Sequence, residues 1–418
     1  MQNSKITKCT SSIIIIFLLT SIQSLSTSSL TSSLAITRRL RIKGAILGGL
    51  IGDSLALGGH YEYDSKVIAD RIGSYRELSA PTVNYGIGWG RANYHPGKIA
   101  GDMTDAGDVA LMLLEYLASL PNGNSFDFDG FANHWFTEIE VKGYGSCNFI
   151  SVGRDATSCP DGLRPGYLNG ATRKTLDAIR LSPNAHGKAR KALAADVNCL
   201  FGATHIAPLL AMPTYISNEE ALVRDAVATV YITHKHRDPV KAAEFLARAA
   251  YRILNGMSLR NSLEEADKAT NDQFISARLA EAIAKVHEAT DSNSQLAAQG
   301  RFTDDVAITS LARLWEVGKS EPIKVGKASP TEGALPAALY FSLKYENSLE
   351  EALIANANCG GDSGARAMVI GLLLGGLHGE TALPQRWTTA HNSYKHANSL
   401  LTILEQRVEK EIDKHTEL

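Results

Sequence analysis

Apolar positions recur at helical spacing along most of the chain. Val109, Met112, Leu113, Tyr116 and Leu117 fall on one stripe behind a Thr/Asp-rich start, which predicts an amphipathic helix. Residues 239–254 have helical composition, and residues 263–289 are rich in Ala, Glu, Lys and Leu. Residues 336–343, 349–357 and 365–377 predict three more helices, and residues 386–417 a polar, charged terminal one. Only residues 228–233 have the β-branched density of a strand, and they suit a helix equally well. The pattern predicts an all-α fold. No Pro- or Ser-rich linker divides residues 44–418, and the polar or glycine-rich stretches at 85–101, 184–190 and 290–295 are short enough to be loops inside one domain.

Two apolar segments carry glycine where it costs a helix about 1 kcal/mol per residue relative to alanine. Gly44, Gly48 and Gly52 are spaced by four in the first, Gly371, Gly375 and Gly379 in the second. Small residues at that spacing let two helix backbones approach closely, so the two segments are expected to pack on each other. Both are too short to span a bilayer.

Residues 1–43 are a different object from the rest. They hold six basic residues (Lys5, Lys8, Arg38, Arg39, Arg41, Lys43) and no acid; taking these from the 42 Lys and Arg leaves 36 against 44 Asp and Glu for residues 44–418. Lys5 and Lys8 precede the apolar run 13–19, and a Ser/Thr-rich, acid-free stretch follows, ending at Arg38, Arg39 and Arg41. The pattern predicts a targeting segment for the secretory route or a plastid, with an uncleaved, unstructured terminus as the plain alternative. The acidic balance of the remainder excludes a broad nucleic-acid-binding surface. Cys147, Cys159, Cys199 and Cys359 show no C-x-x-C spacing and read as buried small hydrophobes rather than a disulfide framework or a zinc site.

Polar clusters adjoin the glycine segments. Asp53 closes the first, and His60, Tyr61 and Glu62 follow; Gly360, Gly361, Asp362 and Ser363 open the second; Thr104, Asp105 and Asp108 open the helix at 109. Hydroxyl and carboxylate groups at helix starts are ordinary caps. Converging oxygen donors at two helix starts also suit a hard cation such as Mg²⁺.

In order along the chain, these landmarks resemble the ADP-ribosylglycohydrolases: the glycine helix ending in Asp53, Thr104-Asp105 before an apolar helix, Thr233-His234 with Asp238-Pro239, the stretch from Ala334 to Tyr340, and Gly360-Gly361-Asp362 leading into the second glycine helix. The resemblance covers residues 44 to 390. It implies an orthogonal multi-helix bundle with two Mg²⁺ ions held by Thr-Asp-Asp of one motif and Asp, Asp and Thr of the other. Those ions hold an ADP-ribosyl group and a water near the bond to be hydrolysed. Here Ala106, Gly364 and Ala365 stand where three ligands are expected, leaving Thr104, Asp105 and Asp362, with Asp108 one helical turn on as a substitute. The resemblance therefore implies at most one weakly held Mg²⁺. It also implies Asp105 and Glu62 as catalytic groups, and Asp53, His60, Gly360, Gly361 and Ser363 against an ADP-ribose-like ligand or an ADP-ribosylated substrate. The altered motifs are similar to those of the jellyfish J1 crystallins, which implies as alternative a catalytically silent nucleotide-binding or structural protein. Thr303-Asp304-Asp305 reads as a helix cap, and His234-Lys235-His236 as a solvated turn. Gly86, Gly88 and Gly90 lack the spacing of a dinucleotide-binding loop.

Overall fold

The stripe of Val109, Met112, Leu113, Tyr116 and Leu117 is the buried face of a helix spanning Asp105–Ser119 in the computed structural model. The structure describes residues 37–81, 92–121, 125–311, 313–314, 323–324 and 326–416; the expected targeting segment through residue 36 and the glycines at 86, 88 and 90 lie outside them. Residues 41–418 cluster as one compact unit. This unit is all-α: among the described residues, sheet is confined to two-residue strands at Arg313–Leu314 and Ile323–Lys324, paired antiparallel. No described helix is long and apolar enough to cross a membrane.

The glycine segments meet. A Cβ on Gly44 would lie 2.7 Å from the Gly379 Cα, one on Gly48 3.2 Å from the Gly371 carbonyl oxygen, and one on Gly52 3.2 Å from the Ala367 carbonyl oxygen. The spacing by four therefore keeps two backbones in contact over three turns, as side chains would not allow. The second segment is not regular: Ser363–Ile370 is α-helical, Gly371–Gly375 forms a π turn and Gly376–His378 resumes the helix. The first helix runs on through residue 57, so Asp53 sits inside its last turns rather than closing it.

Around this pair the remaining helices bury a continuous core. Arg237–Leu254 packs against Glu219–Val230 and Leu259–Thr270, and Asp105–Ser119 against Leu200–Ala211 and Tyr394–Thr416. The single run expected over 263–289 is two helices, Leu259–Thr270 and Gln273–Thr290. Asn271 breaks it in left-handed conformation (φ 48°), and Asp272 caps the second helix through the Phe274 and Ile275 amides. The terminal run is likewise divided, into Gln385–Ala390 and Tyr394–Thr416.

Three histidines of this core titrate far below their usual range because burial disfavours the cation: His205 to about 4, His234 to about 3 and His391 to about 4. The ring nitrogen of His205 hydrogen-bonds the Thr229 carbonyl at 3.1 Å, and that of His391 the Leu50 carbonyl at 3.3 Å. The unfolded chain takes up these protons below about pH 6.5, the folded chain does not, so their stabilising share is complete above that pH and lost as pH falls toward 4. At pH 5 each histidine should cost about 2 kcal/mol. NMR titration of the three imidazoles in the folded protein checks this, and a ring that protonates near pH 6.5 would contradict it.

Candidate active site

The site grows from the crossing of three chain segments. Thr104 caps the Asp105–Ser119 helix, its hydroxyl oxygen accepting the Ala106 amide at 3.2 Å. That hydroxyl donates in turn to Asp53 Oδ1 at 2.6 Å, while the Thr104 and Gly107 amides donate to Asp53 Oδ2 at 2.7 and 3.2 Å. Burial drives the Asp53 carboxyl up to about 7 against these donors. Asp53 is thus the clasp joining the first glycine helix to the Asp105 helix. It does not line the cavity that Asp105 faces.

A second clasp brings in Asp362. The Tyr61 amide donates to the Gly361 carbonyl at 2.8 Å, the Gly361 amide to the Glu62 carbonyl, and the Asp362 amide to the Lys327 carbonyl at 2.8 Å. Gly360 and Gly361 adopt φ of 69° and 73°, and a Cβ on Gly361 would strike the Lys327 backbone, so glycine is required at this crossing. One turn after Asp362, the fully buried Arg366 is held by the Asn356 side chain at 2.8 Å and by the Lys327 and Gly360 carbonyls. Burial raises Asp362 to about 6, with the Arg366 guanidinium opposing. His60, 3.9 Å from Asp362 Oδ1, is lowered to about 3 by burial and then by Arg366. Burial also holds Asp105 well above the usual carboxylate range; the Asn169 amide, 3.0 Å from its Oδ2, works the other way, and the carboxyl of Asp362 adds to the rise.

These groups floor a cavity of about 550 Å³. Its lining takes His60, Thr104, Asp105 and Asp362 from the expected set. Further wall residues come from segments that no motif marked: Tyr94 and Phe149 in contact at 5.0 Å between ring centroids, Tyr167 at 5.4 Å from Tyr94, and the cations Arg173 and Lys174. The wall is tied by a disulfide between Cys147 and Cys159, which corrects the expectation of four inert buried thiols; Cys199 and Cys359 are free and buried. Segment 92–97 lies against the bridged loop, the Asn93 amide donating to the Arg154 carbonyl at 2.8 Å and the Gly97 amide to the Thr157 carbonyl at 3.2 Å. His95, carried by that segment, is 1 % exposed, and neither of its ring nitrogens has a hydrogen-bond partner.

The other expected site residues lie outside the cavity lining. Asp108 accepts from Lys98 and Tyr144, both at 2.7 Å, in a separate recess of about 280 Å³. Three residues along a helix is 60° short of a full turn, enough to carry Asp108 round the flank. Glu62 turns its carboxylate back onto the Asp64 amide at 3.0 Å. Ser363 is fully buried. Asp304 does not act as a cap: it accepts from Tyr340 and Tyr345 at 2.7 Å each. His234 is buried rather than solvated, and only His236 caps a helix, through the Asp238 amide.

The oxygen donors do not fit a Mg²⁺ clamp. The Thr104 hydroxyl is committed to Asp53, Ala106 and Ala365 offer no side-chain donor, and Asp108 faces elsewhere. Gly364 leaves no room for a ligand either: a Cβ there would sit 2.7 Å from Asp53 Oδ1 and 2.8 Å from Thr104 Oγ1. What remains is Asp105 and Asp362 beside imidazole, and Mg²⁺ favours oxygen in near-octahedral array.

The helical bundle is that of a known fold. A solved structure described as an ADP-ribosylglycohydrolase-related protein complex is similar over 89 % of this chain and 99 % of its own, with TM-score 0.56 and 18 % identity. The model of the family "ADP-ribosylglycohydrolase" matches residues 35–415, and the chain belongs to that family. No curated protein matches it.

Proposed function

We propose that the cavity binds ADP-ribose, free or attached to an acceptor, and hydrolyses the glycosidic bond that joins them. The observation that carries this reading is the pairing of Asp105 and Asp362, two carboxyl groups whose proton affinity burial raises, on the floor of one aromatic and basic cavity. Burial raises both carboxyls, and Asp362, at about 6, is mostly ionised at neutral pH. Two carboxyl groups facing one cavity supply the acid and the base that glycoside hydrolysis needs. Asp105 donates its proton to the departing acceptor atom as the glycosidic bond breaks, and a water adds to the anomeric carbon, giving its proton to the Asp362 carboxylate. Tyr94, Phe149 and Tyr167 offer ring faces and edges to the adenine, and Arg173 and Lys174 offer charge to the pyrophosphate. No step requires the Mg²⁺ pair.

The second reading, a ligand-binding or structural protein without turnover, is favoured by the loss of side-chain oxygen at Ala106, Gly364 and Ala365. Titration calorimetry with ADP-ribose, with ADP-ribose release from an ADP-ribosylated peptide measured alongside, separates the two. Binding with turnover is expected. Binding without turnover would leave the second reading standing, and absence of both would remove the cavity from consideration. The disulfide supports an oxidising destination for the chain, as the secretory route among those expected for residues 1–43 would supply.

A further inference from the structure

Two features of the floor are left over once hydrolysis has been assigned: the second histidine, and the nitrogen donors crowding a carboxylate. One ring nitrogen of His60, one of His95 and a carboxylate oxygen of Asp105 all lie within 4.8 Å of one another, and all three residues are buried. We propose that His60, His95 and Asp105 form a binding site for one divalent transition-metal ion of the Zn²⁺ or Co²⁺ class.

The chemistry of the donors selects that class. Imidazole is a borderline ligand that suits Zn²⁺, Co²⁺ and Ni²⁺ and is a poor one for Mg²⁺. Two histidines and one carboxylate are a complete protein donor set for a catalytic-type zinc ion, whose remaining position is left for water or ligand. Asp362 Oδ1, 3.9 Å from His60 Nε2, lies close enough to enter as a further donor. His60 and Asp105 line the cavity, so the ion would be reached from it, while His95 stands behind them in the wall.

His95 gives the independent sign that a ligand is wanted. A buried imidazole ordinarily satisfies both nitrogens, because an unpaired buried polar group costs about 1–3 kcal/mol. His95 satisfies neither, although its ring lies 5.3 Å from that of His60 and 5.7 Å from that of Tyr167. Burial keeps both rings neutral, which is the form that ligates. The supporting contacts are in place as well. The Asn169 amide fixes Asp105 Oδ2 at 3.0 Å, leaving its other oxygen for the ion, and segment 92–97 is fastened to the bridged loop on both sides of His95. His60 Nδ1 accepts the Gly364 amide at 3.3 Å in the metal-free form, and ligation through either ring nitrogen requires that long bond to open.

The site shares Asp105 with the proposed hydrolysis, so binding is best read without substrate. Full-length protein stripped with chelator is titrated with Co²⁺, whose visible absorption reports nitrogen ligation, and then with Zn²⁺ in competition. One equivalent of Co²⁺ should give the absorption band, one of Zn²⁺ should abolish it, and millimolar Mg²⁺ should leave it unchanged. His95→Ala should weaken Zn²⁺ at least ~100-fold, since loss of even an outer partner of a metal ligand costs about 10–100-fold. Its metal-free melting curve should match that of the wild type, which separates ligand loss from misfolding; should it not fold, the smaller change His60→Gln is read in the same way. No absorption band, or Zn²⁺ affinity unmoved by both substitutions, would overturn the site. Neither result touches ADP-ribose turnover, which stands or falls on its own assay.

Discussion

Gly375→Ala should leave no stably folded body, whereas Gly376→Ala, one residue on, should be tolerated. A Cβ on Gly375 would overlap the Gly44 carbonyl, with the carbonyl carbon at 2.6 Å and the Ala45 nitrogen at 3.2 Å. These are backbone atoms in the middle of a buried helix, so nothing can rotate away. The two helices would have to separate, which opens voids along a fully buried seam and costs beyond about 4–5 kcal/mol. At Gly376 the nearest atom is a methyl of Ile253 at 3.5 Å, an ordinary contact, and alanine also removes the entropic penalty of glycine in a helix, about 1 kcal/mol. Soluble yield and denaturant midpoints of the two variants check the pair. Equal behaviour of both would show that the two backbones do not touch along the seam.

Asp105→Asn should lower ADP-ribose release by about 10²–10⁴-fold while leaving the melting temperature near that of the wild type. The amide is nearly isosteric, and its oxygen can still accept from Asn169, so the local packing survives. What disappears is the proton that the departing atom needs, since an amide cannot serve as an acid at this pH. Steady-state turnover with saturating substrate is the measurement. Retention of the wild-type rate would show that another group supplies the proton.

Legibility in the sequence differs between scaffold and site. The helix at Asp105–Ser119 follows directly from its apolar stripe, and the glycine seam from two sets of residues spaced by four. The division at Asn271 was hidden because asparagine in left-handed conformation ends a helix without interrupting its composition. In the site, Asp105 and Asp362 were marked by motif order, and both reach the cavity. Asp108 was placed by helical neighbourhood alone, and a 60° rotation sends it to Lys98 and Tyr144 instead. His95, Tyr167 and Asn169 carried no local signal. They lie in loops whose position is set by the chain path and by a cystine, and disulfide connectivity cannot be read from spacing.

That cystine has a practical corollary. It closes a loop of 12 residues, for which loop-closure entropy suggests about 3 kcal/mol, and the strip bearing Tyr94 and His95 is sewn to that loop. Protein prepared in a reducing cytoplasm and protein prepared in an oxidising compartment are therefore two reagents with one sequence. The first has an untied wall on the side where ring faces and one imidazole meet the ligand. Negative results for ADP-ribose or metal bear on this chain only when its thiols have first been counted.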